Sequence, residues 1–186
     1  MNDQSGGSMR LFIGIALDDA ARGFAARQAG ELRGALDGNF TARDNYHITL
    51  AFLGMRGGDE LAALRRAMDA AARRAAFSVS IGGLGCFAKG KRQVVWMGVE
   101  RTQALLDAQA ALSKELRAAG VDFAGEDVYR PHITLARNCH MAELPVHSAR
   151  MDMCVERITL FESARREGRL AYSPLYSARL MVNVHR

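Results

Sequence analysis

The sequence is poor in the residues that hold small secreted proteins and metal centres together. Only three cysteines occur in 186 residues, at positions 86, 139 and 154, and no two of them form a CxxC pair. An odd number of cysteines at such distances argues against a disulfide framework and against a zinc site. We therefore expect the protein to work in the reducing environment of the cytoplasm.

Long apolar runs are missing as well. No stretch reaches the roughly 18 apolar residues that a membrane-spanning helix needs. The apolar run at 11–17 is followed at once by Asp18 and Asp19, which argues against a signal peptide. Residues 1–8 contain a Ser-Gly-Gly-Ser segment before a second methionine, which is typical of a flexible leader or an expression remnant. We predict no membrane partner and exclude residues 1–8 from the fold.

Neither sign of charge dominates the composition. The chain has 25 Lys and Arg against 20 Asp and Glu, a formal net charge of +5, with 49% hydrophobic and 24% charged residues. This composition excludes a disordered or fibrous protein, and the length suffices to bury a core without disulfides. The mild basic excess is compatible with an anionic ligand but does not require one. Histidine is scarce, with five residues.

The hydrophobic pattern predicts helices and strands in an order that pairs several strands as hairpins. The predicted strands are 11–17, 47–53, 77–87, 94–99, 131–137, 153–161 and 170–181. The predicted helices run from 18 or 19 to 38, from 59 to 76 and from 102 to 120, and 138–149 is predicted to be a loop. Because the strands do not alternate regularly with helices, we predict an α+β fold.

One segment is repeated. His-Ile-Thr-Leu-Ala occurs at 47–51 and again at 132–136, about 85 residues apart. Each copy closes a predicted strand–helix–strand unit, at 11–53 and at 94–137. This repetition predicts two lobes of the same plan, each of which presents one histidine.

The repeated residues suit acid–base chemistry on a phosphate. Because residues i and i+2 share one face of a strand, His47 lies beside Thr49 and His132 lies beside Thr134. An imidazole titrates near neutral pH, so one histidine can take a proton while the other gives one. The two hydroxyls can donate hydrogen bonds to phosphate oxygens. No carboxylate cluster accompanies the histidines, so we predict neither a metal nor a cofactor.

Two further residues near the repeats have side chains that suit a nucleotide substrate but lie, by simple alternation, on the wrong face of their strands. Arg137 would supply positive charge to a phosphate, and Phe52 would stack on a nucleobase. Strict alternation from the preceding histidine turns each of them to the opposite face of its strand. The prediction therefore requires a bulge or strand end near Ala136 and a bend near Gly54.

The segments at 47–54 (His-Ile-Thr-Leu-Ala-Phe-Leu-Gly) and 131–137 (Pro-His-Ile-Thr-Leu-Ala-Arg) resemble the two signature motifs of the 2H phosphoesterase superfamily. Within it, the chain is similar to the RNA 2′,3′-cyclic phosphodiesterases, or 2′-5′ RNA ligase-like proteins, from about Met9 to its end. The resemblance implies a bilobal α+β domain over residues 9–186 with a central cleft. It also implies a reaction without metal or cofactor on RNA ends or nucleotides that carry a 2′,3′-cyclic phosphate.

The resemblance also implies a role for each site residue. His47 would donate the proton to O3′ and His132 would accept one from water, which leaves a 2′-phosphate. Thr49, Thr134 and Arg137 would bind the phosphate, and Phe52 would stack on the base. The two histidines are nearly equivalent within the repeat, so the residues themselves leave the acid and the base open. We expect a monomer, and reverse 2′-5′ ligation as a side activity.

Other readings of the sequence remain open. One is a small-nucleotide cyclic phosphodiesterase that acts on ADP-ribose cyclic phosphate or 2′-5′ oligonucleotides. Another is a non-catalytic RNA-binding module, and a third is a hydrolase with Cys139 as nucleophile, for which the sequence offers no matched histidine. His140, His147 and His185 fall in predicted loops or in the tail and receive no role.

Overall fold

The computed structural model of the protein describes residues 7–123, 128–140, 143–146 and 148–181. These residues form nine strands and three α-helices. The strands are β1 (Met9–Ala16), β2 (Asn39–Phe40), β3 (His47–Arg56), β4 (Phe77–Lys89), β5 (Arg92–Val99), β6 (His132–His140), β7 (Arg150–Val155), β8 (Arg157–Arg166) and β9 (Arg169–Arg179). The helices are α1 (Asp19–Leu32), α2 (Leu61–Ala71) and α3 (Gln103–Ala118).

The strands form two antiparallel sheets, which confirms the predicted α+β class and the two-lobed plan. The first sheet has the order β3-β1-β8-β9, and the second has the order β2-β6-β5-β4-β7. In each sheet the strand that begins with a motif histidine pairs with the strand that opens the same strand–helix–strand unit: β3 with β1, and β6 with β5. The repeat seen in the sequence is therefore a repeat of structure.

The two halves of the chain are interlocked rather than side by side. The short strand β2, which lies between α1 and β3 in the sequence, pairs with β6 of the second sheet. Helix α1 also packs against β6 and β7, and α2 packs against α3 and β9. Because buried side chains of both halves form one hydrophobic cluster, the two motif strands are held within a shared core. No helix in the described part of the chain combines the length and apolar character of a membrane span.

Helix α1 begins as predicted and ends earlier. The Asp18 carboxylate caps it by accepting a hydrogen bond from the Ala21 N–H at 2.7 Å. The helix stops at Leu32 instead of position 38, although Leu36 of the apolar pattern is still buried. Helix α2 likewise stops at Ala71 rather than near 76. The Ala76 N–H instead donates to the Met181 carbonyl at 2.8 Å, which requires an extended chain at that point.

The prediction of a single strand at 153–161 is wrong. This stretch holds the end of β7 and the start of β8, which belong to different sheets. β7 pairs with β4 of the second sheet, whereas β8 lies between β1 and β9 of the first. Both strands are apolar on one face, and only the exposed Glu156 separates them, so the sequence offers little sign of the crossing.

The predicted loop at 138–149 starts too early, because β6 continues to His140. Asn138 adopts a φ of 57° inside the strand, a conformation that asparagine tolerates better than most residues. The Asp37 carboxylate accepts a hydrogen bond from the His140 N–H at 2.7 Å and so fixes the end of the strand. His147, His185 and residues 1–6 of the predicted leader lie outside the described residues.

Candidate active site

The His47 ring is oriented by the main chain. Its Nδ1 lies 2.7 Å from the carbonyl oxygen of Asn45. A carbonyl can only accept a hydrogen bond, so Nδ1 carries the proton and Nε2 is the atom that gains or loses one. His47 Nε2 lies 3.1 Å from the Thr49 hydroxyl, its neighbour on the same face of β3.

The His132 ring is oriented in the same way by the second lobe. Its Nδ1 lies 2.8 Å from the carbonyl oxygen of Arg130, again two residues earlier in the chain. Nε2 of His132 is therefore also the atom that exchanges a proton. Both lobes thus present a histidine in the same tautomer, held by a main-chain carbonyl two residues earlier.

Aromatic rings pack around both histidines. The His47 ring lies 4.7 Å from the Phe12 ring and 5.0 Å from the Tyr172 ring, centroid to centroid. The His132 ring meets the edge of Phe87 at 5.0 Å. These contacts limit the rotation of each imidazole and keep its distal nitrogen aimed in one direction.

Burial lowers the pKa of His47 from its usual 6.5 to about 4. The hydrogen bond to the Asn45 carbonyl raises this pKa, and the positive charges of Arg137 and His132 lower it further. His47 is therefore neutral at pH 7 when no anion is bound. The influence of Arg137 and His132 also means that groups from the second lobe lie near His47.

A bulge occurs at the same position in both motif strands. Thr49 pairs with Gly14 and Ala51 pairs with Ile13, so Leu50 has no partner on β1. In the other lobe, Thr134 pairs with Trp96 and Ala136 pairs with Val95, so Leu135 has no partner on β5. An extra residue in a strand reverses the alternation of faces beyond it.

The bulges turn Phe52 and Arg137 toward the histidine face of their strands. Both residues are exposed, while the preceding Ala51 and Ala136 are buried. The irregularity that Phe52 requires thus lies at Leu50, upstream of the bend near Gly54 that the alternation pattern indicated. Phe52 and Arg137 occupy equivalent positions, each five residues after its motif histidine.

A cavity of about 530 Å³, which we call the histidine cavity, brings the two lobes together. His47 of the first lobe and Thr134 and Arg137 of the second line it. The Arg137 guanidinium donates a hydrogen bond to the Thr134 hydroxyl at 3.3 Å. An anion in this cavity would meet a guanidinium, a hydroxyl and an imidazole at once.

A second cavity of about 370 Å³, the phenylalanine cavity, adjoins the first. Phe52, Arg10 and Ser163 line it, and it shares Arg137, Leu170 and Tyr172 with the histidine cavity. Phe52 is 51% exposed, a large open surface for an aromatic ring. A planar group bound beside Phe52 would therefore lie next to an anion bound beside Arg137.

The sequence analysis missed Asn45 and assigned no role to Tyr172. Asn45 is 8% exposed, and its side-chain amide bonds the main chain of β9 at the Leu170 carbonyl (2.8 Å) and at the Tyr172 N–H (3.2 Å). The same residue orients His47 through its carbonyl. The corresponding residue before His132 is Arg130, so the repeat carried no signal that would have identified Asn45.

Among the described residues that line the two cavities, His47, Thr134, Arg137 and Phe52 are the predicted site residues, whereas His132 and Thr49 are not among them. Cys139 and His140 line neither cavity. Cys139 is buried in β6. Burial raises the pKa of its thiol, and the nearby Asp37 carboxylate raises it further, which disfavours a nucleophilic role. His140 is bound to Asp37 at the far end of β6. Among the described residues, no three His, Cys, Asp or Glu side chains lie close enough together to hold a metal ion.

Comparisons with known proteins agree with this arrangement. A family model described as the 2′-5′ RNA ligase superfamily matches residues 20–166. An RNA 2′,3′-cyclic phosphodiesterase of Methanothermobacter thermautotrophicus is 32% identical over 132 residues, which cover 69% of this chain and 71% of that protein. The protein of the same name from Escherichia coli K12 is 30% identical over 139 residues, which cover 74% of this chain and 77% of its own.

Solved structures extend the likeness to the fold. The crystal structure of E. coli LigT in complex with 3′-AMP has a TM-score of 0.82 at 27% identity and covers 94% of this chain and 99% of LigT. The family model spans most of the chain, and the likeness of fold covers 94% of it. The chain therefore belongs to the 2′-5′ RNA ligase superfamily, the 2H phosphoesterases that its two His-x-Thr motifs resemble.

Proposed function

We propose that the protein hydrolyses the 2′,3′-cyclic phosphate at the end of an RNA to a 2′-phosphate. One observation carries the proposal: two histidines on equivalent strands each bond a main-chain carbonyl through Nδ1, which assigns proton exchange to Nε2. Relatives from M. thermautotrophicus and E. coli are named RNA 2′,3′-cyclic phosphodiesterase, which supports the same reaction. A monomeric, cytoplasmic enzyme remains our prediction.

The reaction needs one proton acceptor and one proton donor. Water attacks phosphorus in line with O3′, so that a bond to the water oxygen forms while the bond from phosphorus to O3′ breaks. His132 accepts the water proton at Nε2, and His47 donates the proton that O3′ needs to leave as a hydroxyl. The phosphate stays on O2′, and the two histidines exchange their protonation states over one turnover.

The low pKa of His47 sets a condition on these roles. Since His47 is neutral at pH 7 in the free protein, it must take up a proton when the substrate binds in order to act as donor. A bound phosphate anion favours that uptake, because it offsets the positive charges of Arg137 and His132 that lower the pKa. With the reversed roles, His47 would serve as the base and needs no proton.

The remaining site residues hold the substrate. Arg137 and Thr134, already hydrogen bonded to each other, bind the non-bridging phosphate oxygens from the second lobe, and Thr49 binds them from the first. Phe52 stacks on the terminal base, which a phenyl ring does without regard to base identity. The phosphate charge is thus balanced by protein groups, and we propose that neither a metal nor a cofactor takes part.

The product decides the proposal. A short RNA with a terminal 2′,3′-cyclic phosphate should yield a 2′-phosphate and a free 3′-hydroxyl, at a rate that EDTA leaves unchanged. A 3′-phosphate product would overturn the role assignment. Binding of this RNA without turnover would favour a non-catalytic RNA-binding module instead.

The pH dependence separates the two role assignments. If His47 is the donor, kcat decreases as pH rises through the pKa of His47 in the substrate complex. If His47 is the acceptor, its limb of the kcat/KM profile is the acidic one, which declines as pH falls toward about 4, where the free-protein imidazole gains its proton. The decline at high pH then comes from loss of the donor proton on His132.

A further inference from the structure

The histidine cavity extends beyond the groups that the proposed reaction uses. Its far wall is the hairpin between β8 and β9, which contributes Arg165, Gly168 and Arg169. Together with Arg137, these residues place three guanidinium groups around one cavity. None of the described residues that line it is acidic.

The two hairpin arginines have no acidic partner among the described residues. Arg165 donates only to the Gly168 carbonyl, at 3.1 Å, within the turn of the hairpin. The ion pairs of the described part of the chain include neither Arg165 nor Arg169. Arg166, between them in the sequence, differs because it pairs with Glu162 at 3.8 Å and does not line the cavity.

The hairpin is held in place by the residue that also orients His47. The Asn45 side chain bonds the Leu170 carbonyl and the Tyr172 N–H on β9, and the Asn45 carbonyl accepts from His47. Arg169 directly precedes this anchored stretch. Its position relative to the histidine is thus set by hydrogen bonds rather than by a free loop.

A terminal nucleotide offers three groups to such a site: the cyclic phosphate, the base and the phosphate on its 5′ side. The proposed function places the cyclic phosphate between the histidines and the base beside Phe52, in the phenylalanine cavity. The end of the histidine cavity with the two hairpin arginines is then left for the third group, which is an anion.

We propose that Arg165 and Arg169 bind the phosphate on the 5′ side of the ribose that carries the cyclic phosphate, an inference that rests on the proposed function. The site then recognises the phosphodiester of an RNA chain and favours an oligonucleotide over a nucleoside 2′,3′-cyclic phosphate. A 5′-phosphate on a small nucleotide has the same chemistry, so the test includes both sources.

The test compares kcat/KM on three substrates: a nucleoside 2′,3′-cyclic phosphate, its 5′-phosphorylated form and a tetranucleotide with a terminal cyclic phosphate. Arg165→Ala and Arg169→Ala should each lower the ratio of tetranucleotide to nucleoside kcat/KM about tenfold, as expected for loss of a charged hydrogen bond. Arg166→Ala, which removes the same charge from the same hairpin, should change this ratio less than about twofold.

The substrates distinguish the source of the phosphate. If the variants lower kcat/KM for the tetranucleotide alone, the arginines bind the phosphodiester of an RNA chain. If kcat/KM for the 5′-phosphorylated nucleotide decreases equally, they bind any 5′-phosphate. A ratio that changes no more than in Arg166→Ala overturns the proposal. Arg165→Lys keeps the charge and should retain part of the preference.

A binding measurement separates failure of this inference from failure of the proposed function. Fluorescence anisotropy of a 2′-phosphorylated tetranucleotide needs no turnover. Each arginine variant should lower the slope of log affinity against log salt by about 0.7, the value for one phosphate contact on a single strand. If the cyclic substrates are not hydrolysed but this slope still falls, the reaction is wrong and the phosphate site stands. If turnover occurs and the slope is unchanged, the phosphate site is wrong.

Discussion

The two lobes present the same strand in different surroundings. Each motif histidine bonds a carbonyl two residues earlier, and each strand bulges at the leucine three positions later. The neighbours differ, since His47 packs against Phe12 and Tyr172, and burial holds its pKa at about 4. The main chain thus repeats a geometry, while burial among the surrounding side chains lowers the pKa of His47.

The difference is greatest five residues beyond each histidine. There the first lobe has Phe52 and the second has Arg137, and equivalent bulges turn both toward the cleft. One lobe therefore presents an aromatic surface and the other a cation. A nucleotide has the same division, with an aromatic base and an anionic phosphate, so an almost symmetric scaffold can bind an asymmetric substrate in one orientation.

The strongest test of this comparison removes each histidine in turn. His47→Ala and His132→Ala should each lower kcat on a cyclic-phosphate RNA by about 10²–10⁴-fold, the usual range for loss of an acid or base. His140→Ala on the same strand as His132 is the matched control, because His140 bonds Asp37 outside the cavities. Activity of both variants near the wild-type level would exclude the two-histidine mechanism.

An activated substrate then separates the acid from the base. A nitrophenyl phosphodiester has a leaving group that needs no protonation, so the variant that lacks the acid should recover relative to the variant that lacks the base. With His47 as donor, His47→Ala is the variant that recovers. Recovery of His132→Ala instead would reverse the roles of the two lobes.

Phe52 and Arg137 should contribute to different parts of the substrate. Arg137→Ala should lower kcat/KM by about 10- to 100-fold on every cyclic phosphate, because a charged hydrogen bond is lost. Phe52→Ala should lower kcat/KM on nucleotide substrates by an amount equivalent to about 1–3 kcal/mol, because base stacking is lost. The decrease should be much smaller on an abasic ribose cyclic phosphate. Met55→Ala, exposed on the same strand and outside both cavities, controls for Phe52. Equal losses with and without the base would contradict stacking.

The burial of His47 should be visible in the stability of the protein. Its pKa is about 4 in the folded protein and near 6.5 when unfolded, so the unfolded state binds more protons between these values. The contribution of His47 is fully present above pH 6.5 and is lost as pH falls through about 4, with a size of at most roughly 3 kcal/mol. Urea unfolding of wild type and His47→Gln across this range measures it; parallel curves would contradict the low pKa.

The smallest expected effects concern the residues that anchor the rings. Asn45→Ala removes two hydrogen bonds to β9 and should lower the free energy of unfolding by about 2 kcal/mol. It should also lower kcat. Arg130→Ala, at the equivalent position, should lower the free energy of unfolding by less than about 1 kcal/mol, because His132 bonds the main-chain carbonyl of Arg130, which the variant keeps. Similar losses in both variants would show that the lobes are anchored alike.

Much of the framework was predictable because it depends on local pattern. The apolar periods predicted β1, β3 and α3 within a few residues, and the repeated motif identified both lobes. The prediction of one strand at 153–161 was wrong because the sheet to which a strand belongs depends on distant partners. β7 pairs with β4, and β8 pairs with β1. Likewise, no local signal marks β2, which pairs with a strand of the other lobe.

The candidate site divides in a similar way. The sequence by itself determined which residue types recur and at what spacing, and so predicted His47, His132, Thr49 and Thr134 as candidate site residues. Only the tertiary structure decided that Phe52 and Arg137 face the cleft, because a bulge depends on how β3 pairs with β1 and β6 with β5. It also decided that His47 is neutral in the free protein, since burial is a property of packing among elements far apart in the chain.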